Sequence, residues 1–459
     1  MKYLIPSLPH AVEQAEGRGD FNLALTLLDA LLKKPQPAGL AERLEFEKER
    51  IARLRLAYPY DRRRALKRLR ELLKGATSAE LDGWIRAGHA SPRLIDGKER
   101  FESSFLSNIF FCGPKRLKRR LRTTGKKQAG QTDKLFERVD ELIKGAAPAK
   151  YRVRARITLT LKRPPREKVR CWLPFPRVGD QVSAARLLAA SHKKFKLAKP
   201  GAEHRTIYFE GRDKKFWVEF EYEVSEWVPG GPKSGPLPAA ARKYLREERP
   251  HVVFTPYARA LAAEIVGKEK DGYRKARKIY DWLTRHLTYN FTLPYGVYSN
   301  ISDYVLTNLK GDCGFQALAF ITLCRAAGVP AKWQSGWGIR PGRAGYHDWA
   351  MFYAGRWRPA DLSFGTNRFR AGKEAQRRFY FGNLDAGRMV ANSEFGAPLW
   401  PAKRHWRTDP TDNQSGEAET ASGNLYYDAV RTKLKLISFE KPAREPGRRR
   451  RISRPRSSP

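Results

Sequence analysis

The stretch Lys310 to Trp337, KGDCGFQALAFITLCRAAGVPAKWQSGW, and the segment Tyr346 to Phe364, YHDWAMFYAGRWRPADLSF, decide how this chain is read. Asp312 is a good helix N-cap, which puts Cys313 in the first turn of the helix that follows. From Gly314 to Ala327 only Gln316, Thr322 and Arg325 are polar, so the helix is apolar on nearly every side and belongs inside the protein. Gly328 suits the position after the last turn, and Pro330 cannot continue the helix. The positive end of a helix favours thiolate over thiol, which singles out Cys313. A cysteine taken at random is more often an inert core thiol, and Cys324, deeper in the same helix, has that role.

Period-two alternation follows. It predicts a strand over Ala331–Trp337, a loop over Gly338–Gly345, and a hairpin of Tyr346–Tyr353 and Trp357–Phe364 turning at Ala354-Gly355. A three-residue loop, Tyr353-Ala354-Gly355, sets His347 directly opposite Asp361, with both side chains on the face of Trp349, Met351 and Trp357. A two-residue loop would put them on opposite faces. An opposed carboxylate holds an imidazole in one tautomer and leaves its other nitrogen free to take a thiol proton. Each residue alone has an ordinary structural explanation. Together they supply a nucleophile, a base and an orienting group.

The pattern resembles the transglutaminase-like superfamily of thiol enzymes. The resemblance rests on Gly311 and Cys313 at the helix start, Arg325 to Pro330 at its end, His347 with Trp349, and Trp357 with Asp361. It implies a papain-like α+β core over 240–405 with Cys313 as nucleophile, His347 as general base and acid, and Asp361 as the orienting carboxylate. It also implies acyl transfer on protein or peptide amides through a thioester that water or an amine resolves. The Cys313 backbone N–H would donate to the oxyanion. Tyr295 and Tyr298 are positional candidates for a second donor, though ordinary loop aromatics explain them better. FYFGNLDAGRMVANSEFG (379–396) and NLYYD (424–428) also look like bacterial members, without assigning roles.

Charge is the compositional outlier: 90 Lys+Arg against 48 Asp+Glu give +42, which attracts polyanions. Two basic runs, Lys115 to Lys127 and 447–456, are candidates for nonspecific polyanion binding. No helix-turn-helix, zinc-finger or aromatic-basic RNA-binding motif is visible, so sequence-specific nucleic-acid recognition is not expected. Four cysteines without a C-x-x-C pair argue against a structural zinc site and a disulfide framework. No acidic calcium loop is visible, and no cofactor is expected. No run approaches the ~18 apolar residues of a membrane span. MKYLIPSLPHAVEQAEG is unlike a signal peptide, so the chain as written reads as cytoplasmic, and as exported if its true start lies upstream.

The remaining organisation is coarser. Residues 1–75 carry helical spacing broken at Lys34 to Gly39, predicting a helical N-terminal module; 76–149 is a mixed segment with the first basic run. Alternation over 150–230 predicts a small antiparallel β-sandwich ahead of the catalytic region. Residues 406–459 read as a polar extension with a disordered basic tail. The competing functional class is a catalytically silent protein that uses the same fold and its charge to hold an acidic partner.

Overall fold

The computed structural model describes residues 4–113, 117, 120, 131–231 and 236–442. Most of the first basic run and all of the second lie outside them. The chain is α+β. Helices His10–Gly17, Phe21–Leu32 and Ala38–Ala57 pack around Phe21, Leu28, Leu44, Ile51 and Leu54. The break falls at the expected Lys-Pro-Gln-Pro run, and Asp20 caps the second helix by accepting from the Leu23 N–H. Buried Arg50 pairs with Glu47 and Glu16 and donates 2.7 Å to the Val297 carbonyl, which ties these helices to the loop ahead of Cys313.

Two antiparallel sheets come next. One has the order Val430–Glu440, Lys150–Leu161, Lys215–Ser225, Val182–Ala190; the other runs Asn424–Leu425, Glu417–Glu419, Val169–Pro174, Thr206–Gly211, Lys196–Leu197. Along Lys150–Leu161 alternate residues are buried, and Ile157, Val218, Phe220, Cys171 and Phe209 share one core between the sheets. Both sheets take strands from beyond residue 406, which corrects the expected polar extension. Val430, Leu434 and Leu436 alternate with Arg431, Lys433 and Lys435, a half-exposed edge strand whose polar face dominates its composition.

The region over 256–392 packs helices Pro256–Val266, Gly272–His286, Ile301–Asn308 and Cys313–Ala326 against a four-stranded antiparallel sheet, ordered Trp357–Ala360, Arg343–Tyr353, Ala331–Arg340, Arg388–Asn392. Every residue from Gly314 to Arg325 is buried, as the sequence predicts. Two expectations about the strands are corrected. The supposed loop 338–345 is a tight hairpin, with Arg340 paired to Arg343 and Gly342 at φ +76°. The next strand ends at Ala360 instead of Phe364, because Asp361 starts a helix over Leu362–Arg370. Among the described residues, no helix is long and apolar enough to cross a membrane.

Candidate active site

Asp312 caps the Cys313 helix as expected, accepting from the Phe315 N–H at 3.2 Å. Thr292 and Tyr295 also donate to it, the latter at 2.6 Å. Tyr295 stands over the start of the helix, edge-on to Phe315. Its phenol is committed to the Asp312 carboxylate, so it holds the cap and does not offer a free oxyanion donor. Tyr298 also packs edge-on to Phe315 and accepts from the Leu293 N–H.

A side chain at position 314 has no room. A Cβ there would lie 2.2 Å from Tyr295 Oη and 2.8 Å from Trp333 Cη2. In an open helix Gly→Ala stabilises by about 1 kcal/mol. Gly314→Ala will instead destabilise by about 1–3 kcal/mol, the usual cost of overpacking. Urea unfolding tests this, and a gain in stability would mean that Tyr295 does not pack there.

The hairpin register differs from expectation by two residues. Its loop is Ala354-Gly355-Arg356, with Tyr353 paired to Trp357, Ala350 paired to Ala360 and Gly355 at φ +70°. Asp361 therefore falls diagonal to His347, not opposite it. A shift of two preserves the face, and His347 Nε2 still meets Asp361 Oδ2 at 2.7 Å. Asp361 is fully buried and caps its helix through the Phe364 N–H at 3.0 Å. Arg388 donates to the same Oδ2 at 2.7 Å and to Asp385 at 3.1 Å. Burial opposes ionisation of Asp361, but the His347 and Arg388 charges prevail and hold its carboxyl down at about 2. Burial, with the Arg388 and Arg340 charges, lowers His347 despite the upward pull of Asp361, so the imidazole is neutral at pH 7. Among the described residues His347 Nδ1 has no hydrogen-bond partner.

The structure joins His347 and Asp361 by a hydrogen bond, while Cys313 is bonded to neither. Cys313 Sγ hydrogen-bonds Asp348 Oδ2 at 3.2 Å, and His347 is not among its partners. Two cavities reflect this. Cys313 and Asp348 line one of about 360 Å³, His347 and Arg388 one of about 270 Å³, and Tyr289 and Tyr346 border both. Burial, then the Asp348 and Asp312 carboxylates, push the Cys313 thiol well above its ordinary range. The helix-end effect expected to favour thiolate is thus outweighed in this resting arrangement.

Asp348 is 4% exposed, and its carboxyl is pushed well up by burial, Asp412 and Asp312. Gln414 bridges: its amide nitrogen donates to Asp348 Oδ1 and to Asp412 Oδ2 at 2.8 Å, while its oxygen accepts from the His347 N–H at 2.9 Å. Sequence reasoning missed Asp348, Arg388, Asp412 and Gln414. Arg388 lies within the 379–396 run noted for its resemblance, and Asp348 adjoins His347. Nothing local marks Gln414 or Asp412.

Residues 259–362 match the model of the Transglutaminase-like superfamily, a span that encloses Cys313, His347 and Asp361. The chain carries a transglutaminase-like domain. Among solved structures, a candidate cysteine protease from Cytophaga hutchinsonii is similar at 14% identity over 64% of this chain and 90% of its own, with a TM-score of 0.36. The periplasmic domain of TgpA from Pseudomonas aeruginosa is similar at 14% identity over 56% of this chain and 99% of its own, with a TM-score of 0.28. No curated protein matches the chain. Among the described residues, no group of three or more His, Cys, Asp or Glu is placed to hold a metal ion.

Proposed function

We propose that the protein is a thiol acyl-transfer enzyme acting on protein or peptide amides, with Cys313 as nucleophile, His347 as base and acid, and Asp361 as the orienting carboxylate. The observation that carries this reading is the buried His347–Asp361 pair, clamped by Arg388, with Nδ1 unused on the strand that runs past Cys313. Turning Sγ from Asp348 towards Nδ1 completes the relay. The thiol proton passes to His347 as sulfur attacks the carbonyl carbon. The same proton then goes to the leaving amine as the C–N bond breaks, which leaves a thioester on Cys313. Water or a second amine, deprotonated by His347, releases the acyl group. The Cys313 backbone N–H at the helix start is positioned to support the oxyanion. Hydrolysis is favoured over transamidation, because water is always present.

The test is ammonia release from glutamine-containing peptides, with hydroxylamine as a trapping amine and mass spectrometry to find the acyl adduct. Release should vanish in Cys313→Ala; the acyl adduct should appear on Cys313 without hydroxylamine and as a peptide hydroxamate with it. The alternative, a silent transglutaminase-fold protein holding an acidic partner through its basic surface, is favoured by one observation: the thiol rests on Asp348. Release that survives Cys313→Ala, or no adduct with any amide tested, would select that alternative.

A further inference from the structure

The cavity that holds Cys313 is lined by Asp312, Asp348, Asp409, Asp412 and Glu417 and, among the described residues, by no lysine, arginine or histidine. That lining belongs to a chain of formal charge +42, so cations to neutralise it were not in short supply. Glu417 pairs with Arg407 and Lys403. The four aspartates have no ion pair among the described residues. Buried carboxylates are ordinarily paired, because an uncompensated charge in a low-dielectric site is costly.

Asp412 is the clearest case. It is 2% exposed. One oxygen, Oδ2, accepts from Ser335 and Gln414, whereas Oδ1 has no hydrogen-bond partner among the described residues. Burial and Asp409 push its carboxyl up to about 7. Asp409 likewise uses only Oδ1, for Thr411. Tyr289, Tyr346 and Tyr427 also line this cavity, and tyrosine faces receive cations well. Because among the described residues no three of these groups converge as metal ligands would, the open carboxyl oxygens of Asp412 and Asp409 suit an extended organic cation, which can hydrogen-bond to both.

We propose that this cavity is a subsite for a positively charged substrate side chain, an ammonium or guanidinium group carried beside the amide that Cys313 attacks, with Asp412 and Asp409 as its specificity determinants. The inference rests on the acyl-transfer reading for the amide, but the cation site stands on its own lining. Gln414 links Asp412 to Asp348, the carboxyl that holds the thiol. A cation on Asp412 is therefore one bridging side chain from the nucleophile's partner.

The test compares binding of N-acetyl-lysinamide and N-acetyl-norleucinamide to the full chain by calorimetry at low ionic strength. The two share a four-carbon side chain and differ by a terminal ammonium in place of a hydrogen. The lysine compound should bind at least about tenfold more tightly, in Cys313→Ala as in the wild type. The preference should collapse in Asp412→Asn, and shrink in Asp409→Asn, whose half-buried position makes misfolding a lesser concern. Equal binding of the two compounds, or a preference that survives both substitutions, overturns the subsite while leaving the thiol chemistry untouched. A preference that depends on Asp412 in a chain that turns over no amide would instead keep the subsite and sink the acyl-transfer reading.

Discussion

Asp361→Ala will destabilise the chain by about 3–5 kcal/mol, the range seen when one partner of a buried ion pair is removed. Asp361 is fully buried and accepts from four groups: the His347 ring, the Arg388 guanidinium, the Ser363 hydroxyl and the Phe364 N–H at the start of a helix. Removing it leaves Arg388 buried beside only Asp385 and strips a helix cap. Urea unfolding at pH 7 measures the loss, and a loss below about 1 kcal/mol would mean the carboxylate is not buried as described. Asp361→Ala/Arg388→Met, which deletes both charges, should recover part of the stability, because the uncompensated cation is the main cost. The pH dependence has a definite sign. The folded-state pKa is held at about 2, below the unfolded value of about 3.9. The contribution is therefore complete above about pH 3.9 and is lost as pH falls from there through about 2. Asp361→Asn should flatten that acid limb.

Which parts of this site were legible in the sequence follows from the range of the interactions. The Cys313 helix announces its own start, burial and end through Asp312, an apolar run and Gly328, all local signals. The shared face of His347 and Asp361 survived a wrong register because alternation depends only on parity. The register itself was open, since a three-residue loop starting at Tyr353 or at Ala354 contains the same glycine. The helix after Asp361 was hidden by Leu362 and Phe364, which read as a continuing strand. Arg388 reaches Asp361 across 27 residues and Gln414 reaches Asp348 across 66, so neither leaves a periodic trace. The strand over Val430–Glu440 shows alternation that its lysines and arginines obscured. The acidic lining of the thiol cavity, gathered from distant segments of a basic chain, is opposite in sign to what composition suggests.

Cys313 in the resting chain will react with iodoacetamide as a buried thiol does, its labelling rate rising only above the free-thiol pKa of about 8.5. Burial and two nearby carboxylates disfavour the thiolate, and like charges this close resist ionising together. Asp348→Asn keeps the size of that partner and one accepting oxygen, and removes its charge. The labelling curve should then move down by about one pH unit, which is about tenfold more labelling at pH 7. An unshifted curve would mean that the thiol does not rest on Asp348 in solution. The gain should disappear in Asp348→Asn/His347→Ala if the freed thiol turns to His347 Nδ1; a gain that persists would reduce the effect to electrostatics and remove His347 as the base. Wild-type labelling that is already fast near pH 6 would mean the thiol leaves Asp348 and pairs with His347 without help. In turnover, His347→Ala should cut ammonia release by about 10²–10⁴-fold, the usual share of a general base. The acid limb of the wild-type rate should lie below the ordinary histidine value of about 6.5, because burial lowers His347 and the ring must be neutral to accept the proton.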